Sequence, residues 1–205
     1  MTPRKPKLVS IIGNNAAGKT SLAQALGRQP GFTAYLESHD DRPYQSLFSQ
    51  SPQAYALPNQ IDYFLARAEQ EHRIRAADGI GVQDGGLDQD FRLYTRLFHH
   101  KGFLDQREFE LCGRLFRTLR ETLPEPEDFI YLEASLNTLR ERLQARQREI
   151  DIHTIVTPDD LPVLQQSLDE WVAESSPLIL QAEEVDIVSA VFLRDLGDQI
   201  KSTKL

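Results

Sequence analysis

Residues 13–20 read GNNAAGKT, and more of the architecture follows from this segment than from any other. It fits the phosphate-loop pattern of glycine, four variable residues, glycine, lysine and then serine or threonine. Small residues let backbone N–H groups surround phosphate oxygens, and the helix that follows points its positive end at them. The residues predicted to bind a nucleoside triphosphate are Gly13, Asn14, Asn15, Ala16, Ala17, Gly18, Lys19, Thr20 and Ser21.

The flanking segments have the character that this mechanism requires. Lys7–Ile12 is a β-branched run before the first glycine, which predicts a buried strand. Lys19–Leu26 has helical character. Within the loop, Lys19 is expected to reach the outer phosphates, and the hydroxyl of Thr20 is suited to holding Mg²⁺. The predicted cofactors are therefore ATP, or another nucleoside triphosphate, and Mg²⁺.

Further short apolar runs alternate with helical patterns along the rest of the chain. This alternation predicts a parallel sheet covered by helices on both faces. We expect one α/β domain over residues 1–205, with residues 1–6 as a flexible tail. Pro58 is predicted to begin a long helix, since the first turn does not need the N–H that proline lacks. The five predicted strands are Lys7–Ile12, Phe32–Glu37, Ile80–Gln83, Phe129–Leu132 and Leu178–Gln181.

The composition restricts the partners and the location of the protein. A formal net charge of −8 argues against binding along a nucleic-acid backbone. No apolar run approaches the roughly 20 residues of a membrane-spanning helix. Cys112 is the single cysteine, which excludes an internal disulfide and favours a reducing compartment. The expected location is the cytoplasm, with neither nucleic acid nor membrane as a partner.

The residues beyond the loop narrow the reaction class. The chain has no Asn-Lys-x-Asp segment of the kind that reads guanine in GTPases. Asp84, after the third predicted strand, is followed by Gly85 rather than by the second acid usual in motor-type ATPases. A small kinase with the P-loop kinase fold remains, in which catalysis consists mostly of positioning and charge neutralisation.

A basic segment predicts a lid over the phosphates. Arg142 and Arg146 are four residues apart and so share one face of a helix, and Arg148 follows them. A solvated basic face, balanced by Glu141 and Glu149, explains the same pattern. In a chain with a phosphate loop, the preferred interpretation is a lid that brings arginines to the transferring phosphoryl group.

Over nearly its whole length, and in the same order, the chain resembles the deoxyribonucleoside kinases, especially their bacterial deoxyadenosine/deoxyguanosine branch. GNNAAGKTSL is similar to the family's phosphate loop, and YLESHDDRPYQSLF to its second strand, which ends in a glutamate. ALPNQIDYFLARAEQ resembles its glutamine helix, VQDGGLDQD its strand-end acid, and YLEASLNTLRERLQARQREID its arginine lid. The resemblance implies ATP-dependent phosphorylation of the 5′-hydroxyl of a deoxyribonucleoside, with purines favoured, by a homodimer.

The resemblance also implies roles for individual residues. Glu37 is the expected general base on the 5′-hydroxyl, and Gln60 is expected to read the edge of the base through its amide. Asp84 is expected to hold Mg²⁺, and Asp151 to meet the sugar 3′-hydroxyl. The predicted site comprises catalytic Glu37, Lys19, Arg142, Arg146 and Arg148, substrate-binding Glu37, Arg42, Tyr44, Gln60, Arg67, Asp84 and Asp151, and metal-binding Thr20 and Asp84.

The departures from the family pattern all lie on the acceptor side. Gly85 and Gly86 stand where the family has arginine and serine. Ser49 stands in place of a tyrosine, and Asn59 in place of an aromatic residue. The donor side, which comprises Gly13 to Thr20, Asp84 and the lid arginines, is by contrast intact.

Three hypotheses follow from these departures. The first is an active deoxynucleoside kinase in which Arg42 or Arg67 replaces the missing charge. The second is a kinase for a different small hydroxyl substrate, as the polar residues Asn59 and Ser49 suggest. The third is a protein that binds nucleotide but has lost catalysis, since losing a charged transition-state contact costs several powers of ten in rate.

Overall fold

The computed structural model describes residues 7–36, 42–149 and 155–202, with the backbone alone over 146–149. Within these residues, five parallel strands form one sheet in the order β2-β3-β1-β4-β5. Parallel neighbours need crossover connections, and helices supply them. The strands are β1 (Lys7–Ile12), β2 (Phe32–Tyr35), β3 (Ile80–Asp84), β4 (Asp128–Glu133) and β5 (Leu178–Gln181).

The helices begin where capping signals stand in the sequence. The spacing of Asp105 and Glu108 is that of a capping box, and the structure shows one, because Glu108 N donates to Asp105 Oδ1 and Asp105 N donates to Glu108 Oε2, both at 2.8 Å. Ser135 Oγ accepts from Thr138 N at 3.2 Å. The helices are α1 (Lys19–Gly27), α2 (Gln45–Gln50), α3 (Pro52–Ala76), α4 (Leu87–Gln89), α5 (Arg96–His100), α6 (Gln106–Thr122), α7 (Leu136–Glu149), α8 (Leu161–Ser175) and α9 (Ala190–Ser202), with a π-helical segment over Asp90–Thr95 and a 3₁₀ turn over Pro158–Asp160.

The central strand β1 is buried along its whole length. Ile11 pairs with Asp84 of β3, and Ile12 with Tyr131 of β4. Side chains alternate across a sheet, so Val9 and Ile11 enter the core on one face and Ile12 enters the core on the other. The phosphate loop follows β1 directly and therefore lies at the carboxyl edge of the sheet, beside the end of β3.

An apolar core lies on each face of the sheet, which confirms the predicted helices on both sides. One core contains Leu22 of α1 and Leu139 of α7, and the other contains Phe64 of α3, Cys112 of α6 and Trp171 of α8. Burial raises the pKa of the Cys112 thiol to about 11, as suits a small apolar side chain. Across the described residues, we find no helix with the length and apolarity to cross a membrane.

The predicted start of the long helix is wrong. Helix α3 begins at Pro52 rather than at Pro58, because Pro52 already occupies the first turn, where its missing N–H is not needed. Pro58 lies inside the helix and cannot donate to the carbonyl of Ala54. Ala54 is exposed, so water can serve that carbonyl.

The helix expected from the apolar spacing of Phe91, Tyr94, Leu97 and Phe98 is present, but it is not regular throughout. It is divided into α4, the π-helical segment and α5, and the wider π turn begins at Asp90. The Asp90 carbonyl accepts a hydrogen bond from Thr95 Oγ1 at 3.0 Å. Strand β2 ends at Tyr35, and the predicted strand end Glu37 lies outside the described residues.

Candidate active site

The two predicted metal-binding residues meet at the carboxyl edge of the sheet. Asp84 ends β3, and Thr20 lies in the first turn of α1 after the phosphate loop. The Thr20 hydroxyl donates a hydrogen bond to Asp84 Oδ2. Asp84 is buried whereas Thr20 is exposed. A carboxylate and a hydroxyl oxygen side by side are the hard ligands that Mg²⁺ prefers, so this pair fits a divalent cation shared with phosphate oxygens.

The phosphate loop is held from inside and from one neighbouring helix. Lys19 Nζ donates to the carbonyl of Asn14 at 2.9 Å, and only 9% of the Lys19 residue is exposed. Asn14 Nδ2 donates in turn to the carbonyl of Leu161 at the start of α8, at 3.1 Å. The lysine ammonium is therefore inside the curve of the loop, close to where the outer phosphates of a bound triphosphate lie.

The first of the predicted lid arginines lies against this loop. Arg142 Nη1, from α7, donates to the carbonyl of Ala17 at 2.9 Å. The backbone of Arg146 and Arg148 belongs to the same helix, but their side chains lie outside the described residues, as does the whole of Asp151. The structure thus brings Arg142, a cation 125 residues away in sequence, to the triphosphate side of the site.

A buried polar cluster lies on the acceptor side. Gln60 Nε2 donates to the carbonyl of Asp90 at 3.2 Å, and Arg67 Nε lies 3.0 Å from Asp90 Oδ2. Gln60 and Arg67 were predicted from the sequence, but Asp90 was absent from the predicted set. Its only signal was its place at the end of VQDGGLDQD, the segment that follows β3. Buried charges are kept when they are paired, as here.

The two residues between Asp84 and α4 have positive φ angles, a conformation that glycine adopts readily. Gly85 and Gly86 have φ of 73° and 125°, which side chains rarely adopt. A Cβ on Gly86 would lie 2.3 Å from Gln83 Nε2, so a side chain there would require Gln83 to move. A Cβ on Gly85 would lie 3.5 Å from Arg67 Nη2. Arg67 therefore supplies positive charge beside the position where the family has its arginine.

The other proposed replacement, Arg42, pairs with a carboxylate of α3. Arg42 Nη1 forms an ion pair with Asp62 Oδ2 at 3.1 Å, and its guanidinium lies 5.8 Å from the centre of the Tyr63 ring. Tyr44 directly precedes α2 and is exposed. Glu37, the predicted general base, lies outside the described residues. The geometry thus favours Arg67 over Arg42 as the charge beside Gly85.

A buried triad of charges supports the turn that carries Gly85. Arg120 of α6 pairs with Glu71 of α3 through Nη1 and Nη2, at 2.7 and 2.9 Å, and with the carboxylate of Asp88 in α4. Burial raises the pKa of Asp88 to about 6, although Arg120 acts against that rise. Burial opposes the charge of Arg120 as well, but its bonds to the two carboxylates outweigh this and raise its pKa. Sequence reasoning missed the triad.

The sequence matches the family model for deoxynucleoside kinase over residues 9–200. The chain belongs to the deoxynucleoside kinase family. This kinase is 24% identical to deoxyadenosine/deoxycytidine kinase of Bacillus subtilis (strain 168) over 204 residues, which cover 97% of this chain and 93% of that one. It is 30% identical to deoxyadenosine kinase of Dictyostelium discoideum over 143 residues, which cover 70% and 58% of the two chains.

Solved structures confirm the P-loop kinase fold. Deoxyadenosine kinase from M. mycoides, with the products dCMP and a flexible dCDP bound, matches this kinase with a TM-score of 0.78. The match covers 95% of this chain and 99% of that one at 17% identity. Family membership confirms the predicted enzyme class, a transferase that phosphorylates deoxynucleosides with ATP. It does not favour a different small acceptor or a protein without catalysis.

Proposed function

We propose that this kinase transfers the terminal phosphoryl group of Mg-ATP to the 5′-hydroxyl of a purine deoxyribonucleoside. The supporting observation is that two groups of residues meet at one edge of the sheet. Thr20 and Asp84 touch each other beside the phosphate loop, and the buried cluster of Gln60, Arg67 and Asp90 follows on the acceptor side. The two relatives are a deoxyadenosine/deoxycytidine kinase and a deoxyadenosine kinase, and deoxyadenosine, the substrate that both names share, supports a purine.

The donor half of the proposed reaction uses charge. Backbone N–H groups of the loop and Lys19 bind the phosphates. Thr20 and Asp84 would hold Mg²⁺, which would supply neutralisation of the triphosphate charge. Arg142, with Arg146 and Arg148 from the same lid, binds the oxygens of the transferring phosphoryl group, where negative charge is spread in the transition state.

The acceptor half supplies the nucleophile. Glu37 takes the proton from the 5′-hydroxyl as the 5′-oxygen bonds to the γ-phosphorus. The bond from that phosphorus to the β–γ bridging oxygen breaks, and ADP leaves. Gln60 donates to or accepts from the base edge, and Asp151 holds the sugar 3′-hydroxyl. The guanidinium of Arg42 and the phenol of Tyr44 contact the nucleoside from the segment before α2.

A homodimer that works in the cytoplasm is part of the same proposal. The two long helices each expose a large apolar side chain, Leu65 of α3 and Leu111 of α6. Surface apolar groups of this kind are suited to a self-complementary interface between copies of the chain. Leu65→Glu combined with Leu111→Glu should then give a monomer by analytical ultracentrifugation. An unchanged sedimentation coefficient would remove these helices from the interface.

The activity is tested by measuring ADP formation from Mg-ATP with each common deoxynucleoside and ribonucleoside in turn. We expect kcat/KM to be highest for deoxyadenosine or deoxyguanosine. Lys19→Met is the background control, since it keeps the length of the side chain and removes the ammonium. A preference for pyrimidines would overturn the purine assignment. Absence of ADP with every nucleoside, in protein that binds ATP, would overturn the proposed function.

A further inference from the structure

Gln89 stands between the two halves of the site and has no role in the function argued above. It ends the short helix α4, and only 3% of it is exposed. Gln89 Oε1 accepts a hydrogen bond from Gly13 N, the first amide of the phosphate loop, at 3.0 Å. A glutamine on α4 therefore reaches the donor side from the segment that carries the acceptor cluster.

The orientation of the amide follows from this contact. Gly13 N can only donate, so the atom of Gln89 that faces it must be the oxygen. The NH₂ group is then turned away from the loop. Among the residues that the structure describes, Gln89 Nε2 donates to none. A donor this deep in a protein normally has a partner, and a bound substrate is one that this position can offer.

Gln89 Nε2 points into the space that Gly85 leaves. A Cβ on Gly85 would lie 3.2 Å from Gln89 Nε2 and 3.5 Å from Arg67 Nη2. Gly85 directly follows Asp84, whose carboxylate accepts from Thr20. The amide nitrogen thus lies near Arg67 and near the residue that follows Asp84, on a side chain whose oxygen contacts the phosphate loop.

We propose that Gln89 Nε2 donates a hydrogen bond to the 5′-oxygen of the acceptor as it attacks the γ-phosphorus. This inference rests on the proposed function. As the hydroxyl loses its proton, negative charge grows on the oxygen, and a fixed amide donor stabilises that charge. The contact is stronger in the transition state than in the bound substrate, so it acts on kcat more than on KM. Gln89 is a catalytic residue in this sense.

Two substitutions separate this role from a purely structural one. Gln89→Ala removes both the acceptor for Gly13 N and the Nε2 donor. Gln89→Glu keeps an oxygen for Gly13 N but loses the donor. We expect both variants to reduce kcat by about a hundredfold or more, with the KM for deoxynucleoside changed far less. Calorimetry measures the Kd for ATP in each variant. A raised Kd would show that ATP binding itself is weakened, for example because the new carboxylate of Gln89→Glu repels the phosphates.

A third variant controls for a loosened loop. Gln165 of α8 touches the loop from another element, since its Oε1 accepts from Asn14 Nδ2 at 3.2 Å. Gln165→Ala should reduce kcat much less than Gln89→Ala does.

Three results would overturn the inference while leaving the proposed function standing. The first is an unchanged kcat in Gln89→Ala, and the second is a near wild-type kcat in Gln89→Glu. The third is a reduction of kcat in Gln165→Ala as large as that in Gln89→Ala. A wild-type protein that turns over no deoxynucleoside overturns both proposals.

Discussion

Arg67 and Asp90 form an ion pair inside the protein, with Arg67 Nε 3.0 Å from Asp90 Oδ2 and the two side chains 3% and 5% exposed. Arg67 comes from the middle of α3, and Asp90 from the start of the π-helical segment. The same aspartate presents its carbonyl to Gln60. The pair therefore joins the glutamine helix to the segment after β3, and it fixes the acceptor side of the site.

Arg67→Met should damage both folding and acceptor use. It leaves the Asp90 carboxylate buried without this partner, which lowers the free energy of unfolding by about 3–5 kcal/mol. It also reduces kcat/KM for the deoxynucleoside by on the order of a hundredfold. Urea unfolding and steady-state kinetics measure the two effects. Arg67→Met with Asp90→Asn should recover part of the stability, because the buried negative charge is then removed together with Arg67.

Arg42→Met is the comparison for the missing family arginine. The ion pair of Arg42 with Asp62 is partly exposed, and such pairs contribute about 0–1 kcal/mol. Its stability loss should therefore be small. Gly85 stands where the family has an arginine. If Arg42→Met reduced kcat/KM more than Arg67→Met does, Arg42 rather than Arg67 would supply the positive charge that this arginine provides in the family.

The contact between Thr20 and Asp84 predicts the metal dependence of the reaction. Thr20→Val keeps the shape of the side chain and removes the hydroxyl, whereas Thr20→Ser keeps the hydroxyl. We expect Thr20→Val and Asp84→Asn to need on the order of tenfold more Mg²⁺ for half-maximal rate, since each loses an oxygen ligand or a charge. Thr20→Ser should titrate as the wild type does. Identical Mg²⁺ curves for all four proteins would contradict the assignment.

The parts of the fold that were predicted correctly are those that local sequence controls. KLVSII is apolar and β-branched and ends at a glycine, so its strand and the loop after it follow from neighbouring residues. The capping box of Asp105 and Glu108 likewise spans four residues. The start of α3 was predicted at Pro58 rather than at Pro52 because either proline is compatible with the first turn of a helix. The residues between the two prolines carry no signal that favours one start over the other.

The missed residues depend on partners that are far away in sequence. Asp90 pairs with Arg67 and Gln89 touches Gly13, at separations of 23 and 76 residues. The apolar spacing around Phe91 suited one regular helix, and no local pattern reveals the wider turn that aims Asp90 inward. A single sequence shows the charges, but the fold alone decides which of them meet.

Arg120 should be among the most destabilising positions to change. Its loss leaves Glu71, which is fully buried, and Asp88 without their shared cation. We expect Arg120→Met to lower the free energy of unfolding by about 3–5 kcal/mol. Adding Glu71→Gln and Asp88→Asn should restore much of that loss, since neutral amides are cheaper to bury. A triple variant no more stable than Arg120→Met alone would mean that packing, rather than charge, dominates at this position.

The raised pKa of Asp88 predicts a pH dependence of stability. The folded state holds the proton more tightly than the unfolded chain, with a pKa of about 6 against an ordinary value of 3.8. The contribution of Asp88 to the free energy of unfolding is therefore full below the ordinary value and is lost as pH rises through about 6. For a shift of this size, the loss is at most about 3 kcal/mol.

Asp88→Asn removes this titration while keeping the size of the side chain. Arg120, Glu71 and Glu125, the other charged groups that act on Asp88, remain in place. Urea unfolding between about pH 4.5 and 7.5 measures the free energy of unfolding of both proteins. The value for the variant should increase relative to that of the wild type as pH rises, because only the wild type loses the Asp88 contribution. Parallel curves for the two proteins would show that Asp88 is ionised throughout that range, with Arg120 rather than burial controlling its proton.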